Sequence, residues 1–249
     1  NPTKKTSQKP KKIVPIKILF IAIILLTAFS RLISLGDRVM SHDEVNHVVP
    51  SYDLFSGRGY RHDPITHGPL QFHLIALSYF LFGDSDFSSR LPHALFSIAL
   101  VAFVMRHFRR YLGDYGAIAA GFLFAISPFM MFYGRYARND VICAFFSVVA
   151  IYAILRYLEI GSAKYLMAFT VMTSLNFTAK ETAYIFTALL MIFLFILVII
   201  DFFNFLKHSP SRRFHFLIKN ILVICLIMLL TVTSILLTRK TSLQLTSGE

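Results

Sequence analysis

Carboxylates and imidazoles are concentrated in one stretch, SHDEVNHVVPSYDLFSGRGYRHDPITHGPL, from Ser41 to Leu70. It holds Asp43, Glu44, Asp53 and Asp63, four of thirteen acidic residues. It also holds His42, His47, His62 and His67, four of nine histidines. Adjacent carboxylates such as Asp43-Glu44 can hold a divalent cation or take the proton of an acceptor hydroxyl. The bland alternative is a helix start: Ser41 and Asp43 are good N-cap residues, and carboxylates there favour the helix dipole. Asp63 and His67, just before Pro69, could be metal ligands. The alternative is a proline-stiffened loop whose histidines face water.

Two further polar clusters interrupt apolar sequence. In Arg135-Tyr136-Ala137-Arg138-Asn139-Asp140, two guanidiniums three residues apart would lie on one helix face and form a fork for phosphate. Snorkelling arginines that anchor a span end are the competing reading. Lys180-Glu181 separates two apolar runs with almost no loop, where an ion pair is costly unless it faces a cavity or a partner. The competing reading is a tight helical hairpin with an exposed turn. Asn176-Phe177-Thr178 matches a glycosylation sequon but falls inside an apolar run. Glycine-rich phosphate loops, HExxH and GxSxG are absent, so soluble nucleotide or hydrolase chemistry has no foothold.

The elements that position these clusters are membrane spans. The chain is 56% hydrophobic and 15% charged, with a mean hydropathy of +0.63, too oily for a soluble domain of 249 residues. Twenty-six phenylalanines and no tryptophan suit a lipid-facing surface, with tyrosine left for the interfaces. The net charge of +12 does not indicate nucleic-acid binding, because the basic residues lie in short loops between spans. Cys143 and Cys225 each lie within an apolar run, and no CxxC exists.

The expected fold is all-α, a multi-span bundle of about seven transmembrane helices near 16–35, 87–105, 114–133, 139–155, 164–179, 182–203 and 219–238. Residues 1–15 form a basic, disordered cytoplasmic tail, 16–238 the membrane domain, and 239–249 a truncated tail. The stretch from Pro69 to Phe82, fourteen residues and about 21 Å of helix, is too short to cross a roughly 30 Å core. It is expected as an amphipathic helix lying at the surface within the 37–86 outer loop. Left out of the count, it puts the N-terminal lysines, Arg106/Arg109/Arg110, Arg156/Lys164 and Lys207/Arg212/Arg213/Lys219 on the cytoplasmic side. The three polar clusters then share the extracytoplasmic face. A start at Asn1 rather than Met, and an end at Glu249 just past an apolar run, are expected of an N-terminal fragment.

The order of these pieces resembles the GT-C membrane glycosyltransferases. Asp43-Glu44 in the first outer loop, His67-Gly68-Pro69-Leu70, Phe82-Gly83 and Arg90-Leu91-Pro92 follow one another as in protein O-mannosyltransferases of glycosyltransferase family 39 type. The chain is most similar to a prokaryotic flippase-activity-associated branch, with DExxH, HGPL, SP…YxRxxRND and KET-like motifs. Here those are Asp43 to His47, His67 to Leu70, Ser127-Pro128 with Tyr133 to Asp140, and Lys180-Glu181-Thr182. The likeness covers about residues 16 to 200, and further spans or an outer soluble domain are expected beyond Glu249.

The resemblance implies a cell-membrane transferase acting at the outer face. Its donor would be a polyprenyl-phosphate sugar arriving through the membrane lipids, its acceptor a protein, lipid or glycan. Asp43, with Glu44 second, would serve as base. Arg135 and Arg138, with Lys180, would hold the donor phosphate. Asp63 and His67 would hold a divalent metal, Mg or Mn, bridging to the phosphate. His47, Asn139, Asp140 and Glu181 would support them. A flippase or flippase-associated protein for lipid-linked oligosaccharide, gripping the same phosphate without chemistry, is the rival. It should show an internal repeat or paired broken helices, and none is visible. A structural membrane protein would scatter its polar residues over both faces.

Overall fold

The computed structural model of the chain describes residues 15–60, 67–207, 218, 220–229, 231–233 and 236. Among these, all regular structure is helical. In chain order the helices are α1 (Ile16–Leu32), α2 (His42–Phe55), α3 (Leu70–Phe82), α4 (Asp86–His107), α5 (Arg109–Ile126), α6 (Pro128–Tyr133), α7 (Asp140–Ile160), α8 (Ala163–Ala179) and α9 (Thr182–Lys207). A further apolar helix occupies Asn220–Thr233.

Among the described residues, three helical stretches are long and apolar enough to cross a membrane: Asp86–His107, Asp140–Ile160 and Thr182–Ile200. α1 and α8, read from sequence as further spans, have 17 residues each. α7 and α8 form a tight hairpin closed by Gly161, whose φ of +73° a side chain would disfavour. Ala150, Ile154, Phe169 and Leu194 pack there with Val223 and Ile227 into the largest apolar core. A second core joins α1, α4 and α5 through Ile23, Val101, Met105 and Ala125.

Two sequence expectations are corrected. The single span at 114–133 is two helices. Ser127 takes a non-helical ψ of 123°, its hydroxyl accepts from Met130 N–H, and Pro128 starts α6 where its missing N–H costs nothing. The fully buried Arg31 guanidinium donates to the carbonyls of Phe124 and Ala125, satisfying the end of α5 that this break exposes. Within the expected 37–86 outer loop, the helix start read at Ser41 is present and opens a full helix. Ser41 and Glu44 close a capping box, and the helix continues through Pro50 to Phe55. The α3 helix is not amphipathic. Phe72, Ile75 and Tyr79 are buried against α2, α4 and the end of α8, while Leu77, Phe80, Leu81 and Phe82 remain exposed. Its thirteen residues make about 20 Å of helix.

Candidate active site

Four chain segments far apart in sequence meet at one end of the bundle. They are the start of α2, the HGPL turn before α3, the turn between α6 and α7, and the Lys180-Glu181 turn between α8 and α9. An alternating chain of charges crosses them. The Asp43 carboxylate accepts from Arg138 Nη1 at 3.0 Å. Arg138 Nε lies 3.1 Å from Asp140 Oδ2, and Asp140 Oδ1 accepts from Lys180 Nζ at 2.6 Å. Beside it, His67 Nδ1 lies 2.8 Å from Glu181 Oε2. The His67 ring stacks on His47 with centroids 5.9 Å apart.

The two carboxylates of the acidic pair have opposite surroundings. Asp43 is 53% exposed and faces the gap between segments. Glu44 is entirely buried. Its Oε1 accepts from Arg90 Nε at 2.8 Å and from Ala137 N–H at 3.1 Å. Its Oε2 accepts from Arg38 Nη2, Arg90 Nη2 and Ser41 N–H. Burial by itself raises its pKa, but donation from Arg90, Ser41 and Ala137 outweighs that and holds the carboxyl below its usual value. Expected from sequence as a second base, Glu44 has no free face for an incoming hydroxyl. It is a knot that ties α2, α4 and the α6–α7 turn together.

Arg135 and Arg138 do not form the expected fork. They lie in the irregular turn between α6 and α7, not on a helix face, so their side chains diverge. Arg135 donates to the carbonyls of Ser30 and Ser34, binding the turn to the end of α1. Arg138 alone points to Asp43. The turn begins at Gly134, which ends α6 and packs so tightly on Ser97 that a Cβ would come within 2.5 Å of its hydroxyl oxygen.

The HGPL turn is seated on the end of α8. Gly68 N–H donates to Ala179 O at 3.2 Å, and a Cβ on Gly68 would fall 2.1 Å from Thr178 O. Only glycine allows this approach, and it holds His67 in the left-handed region at φ +72°, facing Glu181. His47 is buried one helical turn from Asp43. Burial pushes its imidazole down to about 4, with His67, Arg138 and Lys180 adding to the effect and Asp43 opposing it. Asn139 is buried before α7, and neither side-chain polar atom has a hydrogen-bond partner among the described residues.

Of the proposed metal ligands, Asp63 lies outside the described residues. His67 is engaged by Glu181, and among the described residues no three His, Cys, Asp or Glu side chains are grouped to hold a metal. Asn176, in the sequon, is buried and donates to Ser147 Oγ. Arg90 and Arg31, buried arginines that organise this end, were not singled out from sequence as site residues. An arginine within an apolar helix is costly unless paired, and that rule was the available signal.

The profile of a family described as dolichyl-phosphate-mannose-protein mannosyltransferase matches residues 66–235. No curated protein matches the sequence. Among solved structures, ArnT from Cupriavidus metallidurans bound to undecaprenyl phosphate is similar, with a TM-score of 0.64 at 18% identity over 89% of this chain. The same protein in the apo state aligns with a TM-score of 0.62. The S. cerevisiae protein O-mannosyltransferase Pmt1-Pmt2 complex, bound to the sugar donor, aligns with a TM-score of 0.63 at 18% identity over 91% of this chain. The chain spans 41% of ArnT and 34% of the mannosyltransferase chain. These matches share the fold, and the multi-pass helical architecture is theirs as well. With its profile match running from the HGPL turn through the last described helix, the chain belongs to the dolichyl-phosphate-mannose-protein mannosyltransferase family, within the GT-C membrane glycosyltransferases.

Proposed function

We propose that this chain carries the donor-side half of a transferase moving a sugar from a polyprenyl-phosphate carrier to an acceptor hydroxyl at the extracytoplasmic face. The observation that carries the reading is the contact of an exposed carboxylate, Asp43, with Arg138, which shares the Asp140 carboxylate with Lys180. Glycosyl transfer from a lipid phosphate needs a base for the incoming hydroxyl and cations for the departing phosphate. Both kinds of group stand here within one charge chain. The structures solved with undecaprenyl phosphate and with a sugar donor share this fold, which supports the donor class.

In the reaction the acceptor oxygen bonds to the anomeric carbon as the bond from that carbon to the phosphate oxygen breaks. The hydroxyl proton passes to Asp43, and the electron pair of the broken bond leaves with the polyprenyl phosphate. Arg138 and Lys180 balance the charge that grows on it. Single displacement inverts the anomeric centre. Asp43 and Asp140 pair with these cations, so an arriving phosphate exchanges one anionic partner for another. Arg135, committed to α1, positions the turn.

Proteoliposomes loaded with a radiolabelled polyprenyl-phosphate sugar and assayed for free polyprenyl phosphate test the reading. The parent protein releases the carrier, and Asp43→Asn lowers release by about 10²-fold or more while donor binding persists. Relocation of the donor across the bilayer without release would establish the flippase instead. An unchanged rate in Asp43→Asn would remove the base.

A further inference from the structure

The opposite end of the bundle carries a second site of different character. Sixteen residues of α4, about 24 Å of helix, separate Arg90 from Arg106. There the start of α1, the end of α4 and the start of α5 enclose a groove of about 300 Å³, its walls formed by Phe20, Ile21, Met105 and Ile118. It adjoins an open recess of about 510 Å³ lined by Arg106, Arg109, Arg110, Asp114, Tyr152 and Arg156. Arg106, Arg109 and Asp114 border both, so an oily slot runs directly into a recess whose arginines outnumber its one acid.

The charges at this boundary do not cancel. Arg109 pairs with Asp114, while Arg110 and Arg156 share Glu159. Lys17 and Arg106 are exposed and make no ion pair among the described residues. Five more lysines precede Lys17 in the sequence. A basic pocket between membrane helices, continuous with an apolar slot, is complementary to a molecule with an anionic head and a hydrocarbon tail.

We propose that groove and recess bind one anionic glycerophospholipid, an acyl chain lying between α1 and α5 and its phosphate held by Lys17 and Arg106. The sugar donor is not the occupant, because the groups that would accept its phosphate stand at the other end. The site itself depends on membrane embedding alone, and only the exclusion of the sugar donor rests on the transferase reading.

Native mass spectrometry tests this on the detergent-solubilised chain with phosphatidylglycerol, phosphatidylcholine and polyprenyl phosphate offered in turn. One phosphatidylglycerol is retained in preference to phosphatidylcholine. Arg106→Gln and Lys17→Gln each weaken retention about fivefold, the effect of one basic residue at an anionic surface. Arg106→Lys preserves it. Ile21→Trp, at a half-exposed groove wall, reduces retention with the charge untouched. Each of these substitutions falls on an exposed side chain, and a circular-dichroism melt verifies the fold of each variant. Equal retention of both glycerophospholipids, or an unchanged preference in the double Gln variant, would overturn the site. Retention of polyprenyl phosphate that Arg106→Gln and Lys17→Gln weaken as they weaken that of phosphatidylglycerol would overturn the choice of occupant.

Discussion

The Arg90 guanidinium grips the Glu44 carboxylate through Nε and Nη2, at 2.8 and 3.1 Å, with both side chains wholly buried. The remaining Arg90 nitrogen donates to the carbonyls of Leu35 and Arg38, so the pair also fixes the chain between α1 and α2. Desolvating two charges is compensated only when nearly all of their hydrogen-bonding capacity is met, as it is here. Glu44→Gln leaves Arg90 buried without its counter-ion. The variant is expected to lose about 3–5 kcal/mol of stability, measured as a lowered melting transition in detergent. Were Glu44 a catalytic base, the rate would fall with the melt unmoved.

Asp43 behaves in the reverse sense. Its contact with Arg138 is between partly exposed groups, 53% and 31%, and such pairs contribute at most about 1 kcal/mol. Asp43→Asn should therefore melt within a few degrees of the parent while sugar transfer collapses. Measuring both quantities on the neighbouring residues 43 and 44 separates the reacting group from the positioning group.

Gly68 has no room for a methyl group against Thr178 O. Gly68→Ala must push the HGPL turn off the end of α8, costing about 1–3 kcal/mol as overpacking does. The same movement separates position 67 from position 181. Spin labels on the double variant His67→Cys, Glu181→Cys would report it by electron paramagnetic resonance. The distance between them is expected to lengthen when Gly68→Ala is added, and an unchanged distance would show that the turn absorbs the methyl group in place.

His47 links stability to pH. Its folded pKa is about 4, pushed down first by burial, against about 6.5 in the unfolded chain. The unfolded state therefore binds more protons between those values, and stability contributed by the neutral ring is lost as pH falls through that window. Above about pH 6.5 this contribution is constant. Melts recorded from pH 7.5 to 4.5 should show a falling midpoint, and His47→Gln should flatten the curve. A variant with the same slope as the parent would show that other groups set the acid limb.

Composition pointed to a membrane-embedded chain, and apolar runs of helical-span length without strand alternation pointed to helices rather than a barrel. Motif order pointed to the right family, and charged residues at the ends of apolar runs marked Asp43, Arg138, Asp140 and Lys180, which tertiary contacts do bring into one chain. Such residues stand out in sequence because leaving them unpaired near lipid is costly. Only the folded chain decided how neighbours divide their work. Asp43 and Glu44 are adjacent in sequence yet one faces the gap and the other the core, because successive residues on a helix point about 100° apart. Arg135 and Arg138 match a helical fork in spacing, but α6 stops before them and α7 starts after them, so the irregular turn that holds them has no helical register. The partners that bury Arg31 and Arg90 lie on other helices, and spacing along one chain cannot reveal where a distant carbonyl or carboxylate will be.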